Sequence, residues 1–142
     1  MNLKIEDILK CTEGKLIIGN KNAECSSYSR DTRTIKQGDT YIGIKGENFD
    51  GTLFWEEAFN NGADTVIINE IEIDDTKKEK YKQQGKNIVI VEDTVIALGK
   101  MATYKRDLYG EKLKVIGVTG SVGKTSTKDI IANVMSQKYK TL

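Results

Sequence analysis

The chain has 142 residues, 22 of them Lys or Arg and 21 Asp or Glu, for a formal charge of +1, a balance that supplies no global field toward nucleic acid or an anionic membrane. Its 38% hydrophobic content suffices for the core of one ordinary domain, or of one domain plus part of a second. Histidine is absent, which removes the commonest metal ligand and the usual general base, and Cys11 and Cys25 form neither a CxxC pair nor a disulfide framework.

The opening MNLKIEDILK lacks the apolar stretch of a signal peptide, and no later run reaches bilayer length, so a cytoplasmic protein is expected. Ile5, Ile8 and Leu9 share one face of a short opening helix. KLIIG and ECSSYS read as short extended segments, and TYIGIKG alternates in strand fashion from Tyr41 to Ile44. LFWEEAFNNGA reads as a helix with Leu53, Phe54, Trp55 and Ala58 inward, ended by Asn60, Asn61 and Gly62. TVIIN and NIVIVE are compact buried strands on either side of DDTKKEKYKQQ, a polar helix capped by Asp74 or Asp75, with the lysine run from Lys77 to Lys86 on its wet face. Asp93 caps a last helix whose apolar stripe is expected at Val95, Leu98, Met101, Ala102 and Leu108, before Gly110 stops it. Strand and helix alternate, which predicts an α/β fold. A boundary falls near GEKLK, dividing the chain into 1–110 and 111–142.

After that boundary, KLKVIGVTG is predicted as a buried strand through Leu113, Val115, Ile116 and Val118, and KTSTKDIIANVMSQK as a helix with the stripe Ile130, Ile131, Val134 and Met135. Gly120, Ser121, Val122 and Gly123 between them let the backbone approach a polyphosphate, and the helix start at Lys124, Thr125 and Ser126 directs free N–H groups at it. Lys124 is placed to reach the β- and γ-phosphates of ATP, and the Thr125 hydroxyl to ligate Mg²⁺. One position departs from the usual G-x-x-x-x-G-K-[ST] spacing: Val118 stands where its first glycine belongs, with Gly117 one place earlier. The plain alternative is a glycine turn joining a strand to a helix. Only 13 residues follow Asp129, so 111–142 is expected to be the start of a truncated ATP-binding domain. Its apolar surface is expected to be poorly ordered, docked on the first domain, or buried by self-association.

The segment GVTGSVGKTSTKD resembles the ATP loop of the Mur ligases, which build the peptide of bacterial cell-wall precursors. SRDTRTIKQGDTYIGIKGENFDG, AFNNGADTVI and VEDTVIALGKMA are similar to the N-terminal domain of that family, so the resemblance covers essentially the whole chain. TGSVGKTSTK and DTR are more like the members that add D-alanyl-D-alanine than those that add a single amino acid, which tend to show TGTNGKTT and DSR. After FDG the family often has histidine, and Thr52 stands here instead. The resemblance implies a first domain that holds the UDP part of UDP-MurNAc-tripeptide, a central domain that carries ATP and Mg²⁺, and a third that completes the site for D-Ala-D-Ala. It implies an acyl phosphate route in which Lys124 and Thr125 act, with no ligase activity in this chain alone.

A UDP-sugar site needs a flat apolar slot, hydrogen bonds to the base edge, and cations or amides for the diphosphate. Ser29, Asp31, Thr32 and Arg33 are candidates, with Lys45, Gly46, Asn48, Phe49, Asp50 and Gly51 as a second loop over the ligand. RDTR as a solvated surface turn and Phe49 as a core residue are the plain alternatives. Trp55 reads as core, and Asp93 and Thr94 as a helix cap. Two other assignments stay open: a stand-alone nucleotide-sugar-binding module, and a ligase of the amino-acid-adding branch. A small P-loop switch or kinase is disfavoured by the missing remainder of its sheet and of a guanine-reading NKxD.

Overall fold

Val66, Ile67 and Ile68 are consecutive and all fully buried, which requires cover on both faces of the strand that carries them. The computed structural model describes residues 2–141 and separates into two units, Met1–Leu108 and Tyr109–Leu142. The first unit runs β1 (Leu3–Lys4), α1 (Ile5–Thr12), β2 (Lys15–Ile18), β3 (Glu24–Cys25), β4 (Tyr28–Ser29), β5 (Thr40–Ile42), α2 (Trp55–Asn60), β6 (Thr65–Asn69), α3 (Asp75–Gln83), β7 (Asn87–Val91) and α4 (Thr94–Asp107). β1 and β3 pair as a small antiparallel ribbon. The other strands form one sheet in the order β2-β7-β6-β5-β4, parallel from β4 to β7, with β2 antiparallel at one edge.

Parallel neighbours need crossovers, and α2 and α3 supply them between β5, β6 and β7. Successive side chains then alternate between two cores. Tyr41, Val66, Ile68 and Ile88 face the layer of Trp55, Phe59 and Tyr81, whose rings meet at centroid distances of 4.8 to 5.9 Å. Ile42, Ile67, Val89 and Val91 face the opposite layer, with Ile5, Ile8, Ala97 and Met101. The result is the α/β architecture that the pattern predicts. Asp74 caps α3 through Lys77 N, and Asp93 caps α4 by accepting from Val95 N at 2.8 Å and Ile96 N at 2.9 Å.

Three expectations require correction. Leu53 is 70% exposed, because Gly51–Phe54 is a 3-10 turn and the α-helix begins only at Trp55, which shifts the inward face. On α4 the buried positions are Thr94, Ala97 and Met101, whereas Val95, Leu98, Ala102 and Leu108 are exposed. The apolar residues recur around much of this helix, and packing against α1 and the sheet selects the phase that brings small Ala97 inward.

The third correction concerns the second unit. Leu113–Gly120 has no regular secondary structure after a 3-10 turn at Gly110–Lys112, and Val115 and Ile116 are 70% and 55% exposed. A strand exists only through bonds to a neighbour, and no described residue pairs with this segment. Helical bonds are local, so α5 (Lys124–Ser136) forms regardless, with Ile131 and Met135 half-buried and Ile130 and Val134 exposed.

Candidate functional site

A cavity of about 630 Å³ opens outside the carboxyl ends of β4 and β5, the end of a parallel sheet where loops converge on ligands. The loop after β4 contributes Arg30, Asp31, Thr32 and Arg33. Tyr41 of β5 and the following loop contribute Tyr41, Ile44, Gly46 and Phe49, and the start of α2 contributes Phe54 and Glu57.

Asp31 organises the first loop. It caps a short 3-10 turn, Thr32–Thr34. Its Oδ1 accepts from Arg33 N at 3.0 Å and Arg33 Nε at 2.9 Å, and its Oδ2 from Arg33 Nη2 at 2.7 Å. These bonds hold its carboxyl at about 2, below the ordinary carboxylate range, with the Arg33 side chain as the main cause. Ser29 Oγ donates to the Asp31 carbonyl at 3.0 Å and accepts from Asp31 N at 3.2 Å. Thr32 ties the loop to α2: its hydroxyl donates to Glu57 Oε1 at 2.6 Å, and its carbonyl accepts from Asn61 Nδ2 at 3.0 Å.

The second loop folds back on itself. Gly46 N donates to Phe49 O at 2.8 Å, Gly51 N donates to Ile44 O at 2.9 Å, and Lys45 Nζ lies 3.7 Å from Asp50 Oδ2. The return is tight enough that a Cβ at Gly51 would lie 2.7 Å from Ile44 O. Tyr41 Oη donates to Gly51 O at 2.8 Å. Burial, with the carboxylates of Glu57, Asp31 and Asp50 nearby, pushes the Tyr41 phenol up to about 12, so it remains a neutral donor. Phe49 is 59% exposed and stacks on Phe54, with ring centroids 5.2 Å apart and planes 15° from parallel. It is a surface platform, which sets aside the alternative of a core residue.

Asp31, Thr32, Arg33, Gly46 and Phe49 therefore line one cavity, while Ser29, Lys45, Asp50 and Gly51 frame its loops and Asn48 is exposed in the second loop. Sequence reasoning missed Arg30, Tyr41, Ile44, Phe54 and Glu57 as lining residues. The three-residue step from Phe54 to Glu57 was the available signal for two of them. Trp55 is 5% exposed and belongs to the core. Thr52, where the histidine was expected, is fully buried.

In the second unit, Gly120 and Gly123 have φ of +154° and +76°, conformations that L side chains rarely adopt. Gly123 is the N-cap of α5 and provides no side-chain cap, so the first helical N–H groups, at Lys124, Thr125 and Ser126, are left to face a ligand. Lys124 Nζ donates to the carbonyls of Gly120 at 2.5 Å and Ser121 at 3.4 Å, which holds the ammonium across the loop. Ser121, Val122 and Thr125 are exposed. A Cβ at Gly117 would meet nothing within 4 Å, so no crowding dictates glycine there. The loop thus fits a polyphosphate: it joins a cation, open helix N–H groups and a hydroxyl. Among the described residues no three His, Cys, Asp or Glu side chains come together.

A mostly parallel α/β sheet with its cleft at the carboxyl ends, and a glycine loop opening a helix later in the chain, are features that recur in nucleotide-binding proteins. A model described as "Mur ligase family, catalytic domain" matches residues 24–106, and the chain belongs to the Mur ligase family. Curated relatives include the UDP-N-acetylmuramoyl-L-alanyl-D-glutamate--2,6-diaminopimelate ligase of Clostridium perfringens, 32% identical over 94% of this chain and 26% of the relative. They also include the UDP-N-acetylmuramoyl-tripeptide--D-alanyl-D-alanine ligase of Rickettsia prowazekii, 34% identical over 84% of this chain and 24% of the relative. Among solved structures, MurF from Acinetobacter baumannii superposes with a TM-score of 0.80 at 29% identity, over 99% of this chain and 28% of that one. MurF from Thermotoga maritima in complex with ADP gives 0.57 at 32% identity, over 79% and 23%. The chain spans about a quarter of the length of these relatives. Among the described residues no helix is long and apolar enough to cross a membrane.

Proposed function

We propose that the chain is the N-terminal part of a MurF-type ligase, in which residues 1–110 hold the nucleotide end of UDP-MurNAc-tripeptide and 111–142 open the ATP-binding domain. The observation that carries this reading is the cavity beyond β4 and β5, which combines an aromatic surface at Phe49 and Phe54 with guanidinium groups at Arg30 and Arg33. That is the donor set a nucleoside diphosphate needs. The DTR and TGSVGKTSTK segments favour the D-alanyl-D-alanine-adding branch. The diaminopimelate-adding reading remains the second one, because a relative of that name is 32% identical over 94% of the chain.

ATP with Mg²⁺ would supply the phosphoryl group that converts the tripeptide carboxylate to an acyl phosphate with release of ADP, and the amine of D-Ala-D-Ala would attack its carbonyl carbon and release inorganic phosphate. Gly120 to Gly123 bring backbone N–H groups to the phosphates, and Lys124 neutralises charge between two anions that must approach. Thr125 would hold the metal through its hydroxyl, and Ser126 would add an N–H at the helix start. Lys124 and Thr125 carry the catalytic contribution of this chain. UDP-linked substrates place the reaction in the cytoplasm, and exposed Val115, Ile116, Ile130 and Val134 favour self-association of the 142-residue chain.

Calorimetric titration tests the division of labour. UDP-MurNAc-tripeptide is expected to bind the chain clearly and Mg-ATP weakly, with no ATP-dependent joining of D-Ala-D-Ala. Failure of the UDP-linked peptide to bind, or ligase turnover by the chain alone, overturns the proposal.

A further inference from the structure

Two carboxylates line the cavity, and they are in different situations. Asp31 gives both oxygens to Arg33. Glu57 receives a hydroxyl hydrogen from Thr32 on Oε1 at 2.6 Å and, among the described residues, has no cation within salt-bridge distance. Asn61 Nδ2 holds the Thr32 carbonyl, so the hydroxyl that orients this carboxylate is itself held in place. In a cleft for a diphosphate-bearing ligand, a bare carboxylate repels the ligand unless it faces a hydrogen-bond donor.

Position says which part of the ligand that donor belongs to. Glu57 lies in the first turn of α2 and Phe54 closes the 3-10 turn just before it, and both line the cavity. Phe54 supports Phe49, whose ring is more than half exposed. Because Phe49, Phe54 and Glu57 line one cavity, a planar base laid on this aromatic surface can turn its edge toward Glu57, while Arg30 on the loop after β4 remains for phosphate. Uracil presents an imide N–H at the centre of its pairing edge, flanked by two carbonyls. Cytosine presents an unprotonated ring nitrogen there above mildly acid pH, and a carboxylate rejects it as one acceptor rejects another.

Resting on the nucleotide-sugar reading above, we propose that Glu57 is a specificity-determining residue that accepts the imide N–H of the base and thereby selects uracil over cytosine. Thr32 is its positioning residue.

Titration of the whole chain with UDP, CDP, dUDP and the diphosphate of N3-methyluridine at pH 8 tests this. UDP and dUDP are expected to bind alike, and CDP and the N3-methyl compound about tenfold to a hundredfold more weakly. Glu57→Gln keeps the shape and offers either an acceptor or a donor, so the UDP to CDP ratio should fall toward one. Equal binding of UDP and CDP by the unaltered protein overturns the proposal, as does an undiminished preference in Glu57→Gln, or discrimination against dUDP instead of the N3-methyl compound. The ligand series needs no variant, so a folding defect in Glu57→Gln does not disable the test. If UDP itself fails to bind the unaltered chain, the failure lies with the nucleotide-sugar reading.

Discussion

The backbone N–H of Asn69 donates to Thr52 Oγ1 at 3.3 Å, and the same hydroxyl donates to Gly43 O at 3.5 Å. One buried side chain thus joins the loop after β5 to the end of β6. Asn69 extends the link by accepting from Thr94 N at 3.3 Å and donating to Glu92 O at 3.2 Å, so the cavity wall is tied to the start of α4. Thr52→Val keeps the volume and leaves two polar groups unpaired. It should cost about 1–3 kcal/mol, read as a drop of about 4–8 °C in melting temperature per kcal/mol for a unit of this size. Thr52→His must overpack a site with no exposed surface and should lower the melting temperature further. A Thr52→Val melt indistinguishable from the parent counts against the hydroxyl as a link.

Phe49 separates binding from stability. With 59% of its surface exposed, its truncation to Ala should alter stability by less than about 1 kcal/mol. Loss of the platform should weaken UDP-MurNAc-tripeptide binding several-fold, since an aromatic stack contributes about 0.5–1.5 kcal/mol. Paired melting and titration experiments check both halves, and a large melting shift with unchanged binding contradicts the assignment.

Asp31 makes a pH prediction of definite sign. Its carboxyl is held at about 2 in the folded chain, chiefly by the Arg33 side chain. A depressed acid pKa contributes stability that is present above the unfolded value of about 3.9 and disappears as pH falls through about 2. Carboxyl NMR titration should show Asp31 ionised throughout pH 4 to 8, and Arg33→Ala should move its midpoint upward.

The face of α4 can be tested by contrast. Met101 is 3% exposed and Leu98 42%. Met101→Ala should cost about 2–5 kcal/mol, whereas Leu98→Ala should cost under about 1 kcal/mol. Denaturant titrations of the two variants would reverse this order if the stripe through Leu98 were the buried one.

In the glycine loop, Gly123→Ala introduces a side chain at φ of +76° and should strain the turn by about 1–2 kcal/mol, fraying the start of α5. Lys124→Ala leaves that backbone unstrained. In the full-length ligase it should reduce turnover by orders of magnitude through loss of charge on the transferred phosphoryl group. Retention of full turnover would sink the role assigned to Lys124.

Much of the fold was legible because its signals are local. TVIIN and NIVIVE bury too many consecutive side chains for anything but a two-sided strand, and Asp74 and Asp93 announce the helices that follow them. The site was legible only in part. RDTR and the loop from Lys45 to Gly51 carry recognisable residue types, but Tyr41, Phe54 and Glu57 join them only where β5, the 3-10 turn and α2 come together, and the step from Phe54 to Glu57 relates those two to each other but not to RDTR.

By itself the sequence determined the order of strands and helices from α1 to α4, the Asp74 and Asp93 caps, and the helix that follows the glycine loop, because propensity, capping and side-chain period act over a few residues. Tertiary structure decided which face of α4 is buried, that Phe49 is a platform, and that Glu57 shares a cavity with Asp31 and Arg33. It also decided that Leu113–Gly120 pairs with no strand among the described residues. Each of these depends on what lies opposite a residue in space, and that is settled only when distant segments pack together.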